Sequence, residues 1–381
     1  MGQADRSVSR RQALVGGSLL ATHLVAGSRT APALAADGPS GIEPTVRHIP
    51  LTRQNVDASR LGVRDRGDAW AVSPEVPAIG YATVGVVWAQ GSSAQGSRFF
   101  VRTRKGRTWS NWQLMRESDE HGPTMASAEA QRMRPGTDPV GVGNVDAVQV
   151  KATSTGHARP GDLTLSVVDP GDTAPRLSAT RLRGPDYPAR GGTGTPRPGI
   201  FSRRQWRADE SMRQGFAGYG EISAAFVHHT VNSNDYSPAE VPALLRGIYA
   251  YHTQSRGWSD VGYNFLVDRF GRIWEGRWGG IRRPVIGAHT LGYNENSFAM
   301  SAIGNFETVA PTRDMLRAYK QLFAWKLDRS GVDGDAYTTI DRVRLRTISG
   351  HRDAASTACP GSHLYAKIPV LRKRVAAAQT A

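Results

Sequence analysis

Four segments of this 381-residue chain concentrate side chains able to do chemistry: Phe226-Val227-His228-His229-Thr230, Trp258-Ser259-Asp260-Val261-Gly262-Tyr263-Asn264-Phe265, Gly287-Ala288-His289, and Gly350-His351-Arg352-Asp353 running on to Thr357-Ala358-Cys359-Pro360-Gly361. Zinc prefers imidazole nitrogen and thiolate sulfur, and a catalytic site takes three protein ligands while keeping a fourth position open. Two histidines and the single cysteine meet that count. Cys359 has no partner for an internal disulfide, so it is an inert buried thiol, a metal ligand or a nucleophile. A nucleophile activated by histidine would make a cysteine peptidase. The spacing of His351, Thr357 and Cys359 suits ligands gathered by one loop better. Successive strand residues face opposite ways, so only one of His228 and His229 can reach a shared metal, and periodicity does not say which. Each residue alone reads as readily as packing; their joint occurrence points to a site.

Strand ends and the loops after them must bring these segments together. Ala224 to Thr230 reads as a buried strand, and Ser237-Pro238-Ala239-Glu240 offers an N-cap, a first-turn proline and a capping-box glutamate. Val241, Leu244, Leu245 and Ile248 then keep the spacing of one buried helix face. Gly262 to Asp268 and Arg272 to Glu275 predict a hairpin, and Phe298 to Ile303 a strand. A second helix carries Met315, Leu316, Tyr319, Leu322 and Phe323 and stops at Gly331; a third is expected over Ser362 to Ala378. Residues 200–381 therefore predict an α/β domain with a central mixed sheet flanked by helices. Over residues 40–170 the pattern is all-β, sandwich or jelly-roll-like. Short runs at Tyr81 to Trp88, Arg98 to Thr103, Trp112 to Met115, Val145 to Ala152 and Leu163 to Val168 alternate with Gly, Ser, Asp and Pro. Trp88, Trp109 and Trp112 read first as packing residues and second as a sugar-stacking platform. A Pro/Gly-rich linker spans 171–199.

The formal net charge of +15 offers attraction to polyanions. It comes almost wholly from arginine, with no Lys/Arg block interleaved with aromatics, so nucleic acid is not the expected partner. Residues 1–36 read as an export signal: Arg6, Arg10 and Arg11, an apolar stretch from Ala13 to Ala26, and small residues at Ala33-Leu34-Ala35. Ser9-Arg10-Arg11-Gln12-Ala13-Leu14 resembles a twin-arginine signal. The apolar stretch is shorter than the ~20 residues of a spanning helix, so cleavage and secretion are expected rather than membrane anchoring. Cleavage near Ala36 removes four arginines and one aspartate and leaves a charge of +12, suited to anionic wall polymers.

The segment from Ile200 to Ala378 resembles the peptidoglycan recognition protein family, the type 2 N-acetylmuramoyl-L-alanine amidases related to the phage T7 lysozyme amidase. The resemblance implies one zinc ion per chain held by His228, His351 and Cys359, with Tyr263 and Thr357 as active-site residues. It implies hydrolysis of the amide between N-acetylmuramic acid and L-alanine in bacterial peptidoglycan. Family members that bind without cutting commonly lack the cysteine, so Cys359 favours an enzyme over a non-catalytic receptor or scaffold. His289 and Asn294, with Asn264, Trp258 and Arg277, are the candidate substrate contacts. His229 is expected to pack or to support a ligating side chain, because a ligating imidazole needs a partner on its other nitrogen. A phenol with a pKa of about 10 is a poor free base, so the general base stays unassigned. Where many relatives read Glu-Gly-Arg-Gly-Trp, this chain has Glu275-Gly276-Arg277-Trp278-Gly279, so stem-peptide preference does not carry over.

Overall fold

Alternating apolar residues build the amino-terminal layers. In the computed structural model, which describes residues 43–51, 69–78, 80–118, 120–154, 159–171, 184–190 and 194–381, these form strands β1 (Thr45–Pro50), β2 (Ala69–Val72), β3 (Val76–Pro77), β4 (Tyr81–Val87), β5 (Ser97–Lys105), β6 (Thr108–Trp109), β7 (Gln113–Met115), β8 (Val140–Asn144), β9 (Ala147–Ser154) and β10 (Thr164–Asp169), with one short helix, α1 (Ala128–Arg132). The expected export signal lies outside the described residues, as does much of the expected linker. One sheet runs β1-β10-β4-β8 and the other β2-β9-β5-β6, with β3 on β9 and β7 on β5, all antiparallel. Val84, Val86, Phe99, Val101, Val148, Val150, Leu165 and Val167 share one core between them. Trp88 belongs to that core and stacks on Phe99 with centroids 5.3 Å apart. Trp109 and Trp112 lie half-buried on the far face, with the Arg102 guanidinium over both rings.

The carboxy-terminal elements are β11 (Ile200–Phe201), β12 (Ala224–His229), α2 (Val241–Ala250), β13 (Phe265–Val267), β14 (Ile273–Glu275), β15 (Ser297–Ala302), α3 (Arg313–Asp328), β16 (Tyr337–Ile340), β17 (Val343–Arg346), β18 (Ile348–Gly350), α4 (Ser362–Tyr365) and α5 (Ile368–Gln379). Six strands form a mixed sheet in the order β11-β14-β13-β15-β12-β18, in which β12 is parallel to both neighbours. On one face Met315, Tyr319, Leu322 and Phe323 of α3 and Leu371 and Val375 of α5 pack with Val227, Phe265 and Phe298. On the other, Val241, Leu244, Leu245 and Ile248 of α2 pack with Tyr263, Leu266 and Trp274. Two expectations shift. The cap of α2 is Glu240, whose carboxylate reaches back to accept the Ser237 amide at 2.6 Å, so Ser237-Pro238 forms the turn before the helix. The third helix breaks into α4 and α5 around Pro369, which sits in the first turn of α5 because a proline cannot continue an earlier helix. The β16–β17 hairpin has no counterpart in the sequence reading.

Every residue of α2 is buried, although its apolar face covers only one side. The second side is covered by the β-sandwich: Arg246 donates to the Pro170 carbonyl at 3.2 Å, and a Cβ on Gly247 would meet the Thr83 hydroxyl at 2.7 Å. Residues 39–381 accordingly form one compact unit.

Candidate metal centre

Strand register does most of the positioning. Val227 of β12 pairs with Gly350 of β18, so the next residues, His228 and His351, emerge side by side at the carboxyl ends of parallel strands, with ring centroids 4.6 Å apart. The loop returning after His351 brings the Cys359 Sγ to 3.5 Å from His228 Nδ1. Alternation along β12 turns His229 to the opposite side, where its Nδ1 accepts the Phe306 amide at 3.2 Å. Its backbone amide points at the Cys359 Sγ from 3.4 Å.

A fourth donor comes from outside the α/β domain. His121, on the segment between β7 and α1, places Nε2 3.3 Å from His228 Nδ1, and the donor atoms of His121, His228, His351 and Cys359 all lie within 4.8 Å of one another. Tetrahedral zinc with bonds of about 2.0–2.3 Å holds its donors roughly 3.3–3.8 Å apart, and the His121–His228 and His228–Cys359 separations of 3.3 and 3.5 Å fall in that range. The outer nitrogens are oriented as ligating histidines require. His121 Nδ1 meets Asp138 at 3.0 Å, His228 Nε2 meets the Thr290 hydroxyl at 3.2 Å, and His351 Nε2 meets the Glu120 carbonyl at 3.2 Å. His351 Nδ1 is buried without a hydrogen-bond partner among the described residues, and a cation would satisfy its lone pair. Sequence reasoning missed His121: it stands alone in a β-rich segment, with no motif around it.

The electrostatics suit a cation. Burial, then the surrounding imidazoles, holds His228 and His351 far below the ordinary histidine range, so both stay neutral with a lone pair to give. Burial pushes the Cys359 thiol well up, more than the His229 amide offsets. Such a thiol has no thiolate character until a cation sits beside it, which disfavours a cysteine nucleophile. Burial would raise Asp138, but His121 and Arg256 outweigh it and bring the carboxyl to about 2. Tyr263, 5.5 Å from the His228 ring, is pushed well above the usual phenol value by burial and then by Cys359. Thr357 borders a cleft of about 420 Å³ that is also lined by His121, Asp138 and residues of β5 and β7; its hydroxyl oxygen accepts the Cys359 amide at 3.2 Å.

Two family models match the chain. One described as "N-acetylmuramoyl-L-alanine amidase" covers residues 218–362, and one described as "Rv3811 N-terminal galactose-binding domain-like" covers 39–179. Peptidoglycan-recognition protein SC2 of Drosophila simulans is 33% identical over 171 residues, 44% of this chain and 84% of its own length. Peptidoglycan-recognition protein SC1a of Drosophila melanogaster is 33% identical over 174 residues, 44% of this chain and 83% of its own. Among solved structures, Drosophila PGRP-LB is 30% identical and aligns over 44% of this chain and 91% of its own, with a TM-score of 0.38. The chain belongs to the peptidoglycan recognition protein family. Within this family member, three donors lie in the amidase match and His121 lies in the other one.

The candidate substrate contacts of this recognition domain are all buried. Asn264 is engaged inside the domain, donating to the Val285 carbonyl and accepting the Ala299 amide. Trp258 stacks on His252 at 4.4 Å. Asn294 accepts the His289 and Thr290 amides and donates to the Gly122 carbonyl at 2.8 Å. Arg277 makes two bonds to Glu129 of α1, at 2.6 and 3.1 Å. His289 meets the Thr290 hydroxyl through Nδ1, and its Nε2 has no hydrogen-bond partner among the described residues.

Proposed function

We propose that this chain is an exported, zinc-dependent N-acetylmuramoyl-L-alanine amidase that cuts the amide between N-acetylmuramic acid and L-alanine of bacterial peptidoglycan. The observation that carries the reading is the convergence of His228 Nδ1 and the Cys359 Sγ beside the unpartnered, buried His351 Nδ1. A non-catalytic receptor needs no such donor set, and a cysteine peptidase needs a thiol less deeply buried.

A bound zinc ion supplies Lewis acidity, polarising a carbonyl and activating water at neutral pH. The chain's own residues do the rest. Tyr263 keeps its proton at every physiological pH, so it serves as a hydrogen-bond donor to the oxyanion that develops on the lactyl carbonyl, not as a base. Thr357 already accepts the Cys359 amide, which leaves its hydroxyl proton free to turn toward the cleft. Thr290, within the α/β domain, fixes the ring plane of His228. The basic surface suits anionic wall polymers, and Trp109 and Trp112 give the β-sandwich an aromatic face for glycan.

Mass spectrometry of purified peptidoglycan digested by the chain and by its His121→Ala variant tests the reading. Stem peptides with a free L-alanine amine are expected, lost on dialysis against chelator and restored by zinc. Intact wall from both proteins, or cuts only inside the stem peptide, sinks the amidase assignment.

A further inference from the structure

We propose that His121 is a fourth metal ligand lent by the β-sandwich, filling the position a catalytic site keeps open, so that the chain as folded is a latent amidase. The inference rests on the zinc reading above and adds to it the state of the site. A zinc site with four protein donors is closed, whereas one with three exposes the metal to water and substrate. His121 has what a ligand needs: its Nε2 faces His228 Nδ1 at 3.3 Å, and its Nδ1 is held by Asp138 at 3.0 Å, the carboxylate that orients a ligating imidazole.

The same segment also covers the groove. The Glu120 carbonyl accepts the Leu291 amide, the Gly122 carbonyl accepts Asn294, and Glu129 takes the Ser259 amide and both arms of Arg277. Arg132 adds bonds to the Gln214 carbonyl and the Ser259 hydroxyl, each at 3.0 Å. A glycan strand cannot reach Asn294 or Arg277 while these bonds stand, because the polar groups that would receive it are already paired. The seam beneath is built for close approach: a Cβ on Gly141 of β8 would lie 1.9 Å from the Asn232 amide. Latency therefore has two parts on one segment, a ligand on the metal and a cover on the groove. Activation is the withdrawal of that segment from the α/β domain.

Zinc K-edge absorption on the zinc-loaded full chain reads the coordination without any variant: three imidazoles and one sulfur are expected. Two imidazoles, one sulfur and an exchangeable oxygen in the wild type would overturn the proposal. Cobalt substitution provides the second readout. Acetohydroxamate should leave the visible bands of the wild type unmoved and shift those of His121→Ala and of Glu129→Ala, with thermal melts reporting whether each variant folds. A latch that leaves fewer than about one molecule in ten open predicts at least a tenfold rise in stem-peptide release by the variants. If the spectra change as expected and no variant releases stem peptides, the ligand assignment stands and the amidase reading fails. A full chain that takes up no zinc overturns both.

Discussion

In the α/β domain two of the donors, His228 and His351, sit on or directly after the parallel strands β12 and β18, with Cys359 on the loop that follows, whereas the β-sandwich reaches the same point with His121 on a connection between β7 and α1. The first arrangement is fixed by backbone register: moving His228 away from His351 would mean breaking a strand pair of a six-stranded sheet. The second is fixed by the Asp138 bond within the β-sandwich and by side-chain and loop hydrogen bonds across a seam. Donors held by sheet register cannot leave without unfolding the domain, while a donor held across a seam can depart with both domains intact. That difference separates the permanent part of the centre from the removable part.

The largest expected effect breaks the permanent part. Cys359→Ala should abolish zinc retention, measured as metal content after gel filtration, and with it all stem-peptide release. The loss should exceed the roughly 10- to 100-fold in affinity that supporting partners of metal ligands are worth. His121→Ala should keep its zinc. Equal loss in the two variants would erase the distinction between donors of the α/β domain and the donor held across the seam.

Next in size is Glu129→Ala. It leaves the Arg277 guanidinium buried without its carboxylate, both side chains being 2–3% exposed. Breaking such a pair from one side costs about 3–5 kcal/mol. Denaturant unfolding should show that loss as a lower midpoint, and hydrogen exchange should place the loosening at residues 120–138 rather than in β12 or β18. Uniform loosening would mean that the seam and the sheet open together.

Gly85→Ala probes the seam away from the metal. Its new methyl would lie 2.1–2.2 Å from the Tyr251 ring, and that ring is fixed by a 2.8 Å bond from its hydroxyl to the Thr137 carbonyl. Overpacking of this kind costs about 1–3 kcal/mol. Because Thr137 adjoins Asp138, the variant should raise stem-peptide release as well as lower stability. A drop in stability with no gain in release would detach the seam from latency.

The sequence carried the permanent part of the centre far better than the removable one. His228 and His351 belong to motifs at strand ends and Cys359 to the loop that follows, and β12 and β15 are buried along their whole length because parallel strands in a covered sheet are buried on both faces. Periodicity left the choice between His228 and His229 open, since alternation alone cannot say which face the metal occupies, and only the family resemblance pointed to His228. His121 left no trace, because its meaning comes from a contact 107 residues away in sequence. Arg277 and Asn294 read as groove residues through the family resemblance, and only the packed structure shows Glu129 and Gly122 already bonded to them. The total burial of α2 has the same origin: its sequence shows one apolar stripe, and the second covered side belongs to the seam.

The last expected effect is a pH dependence confined to the α/β domain. Lys326 of α3 is buried and donates to the Ile281 and Arg283 carbonyls at 2.9 and 2.7 Å, with no carboxylate among those contacts. Burial, and then Arg329, brings its pKa down to about 7, against about 10.4 for an unfolded lysine. Between those values the unfolded chain binds the extra proton and the folded chain does not, so stability rises with pH across that window and is flat below it with respect to this group. The slope cannot exceed about 1.4 kcal/mol per pH unit for one site. Lys326→Met should remove the rise between about pH 7 and 9 in denaturant midpoints while leaving the exchange protection of residues 120–138 unchanged. If the rise persists in Lys326→Met, the titrating group lies elsewhere, and the α/β domain owes its pH response to something other than this lysine.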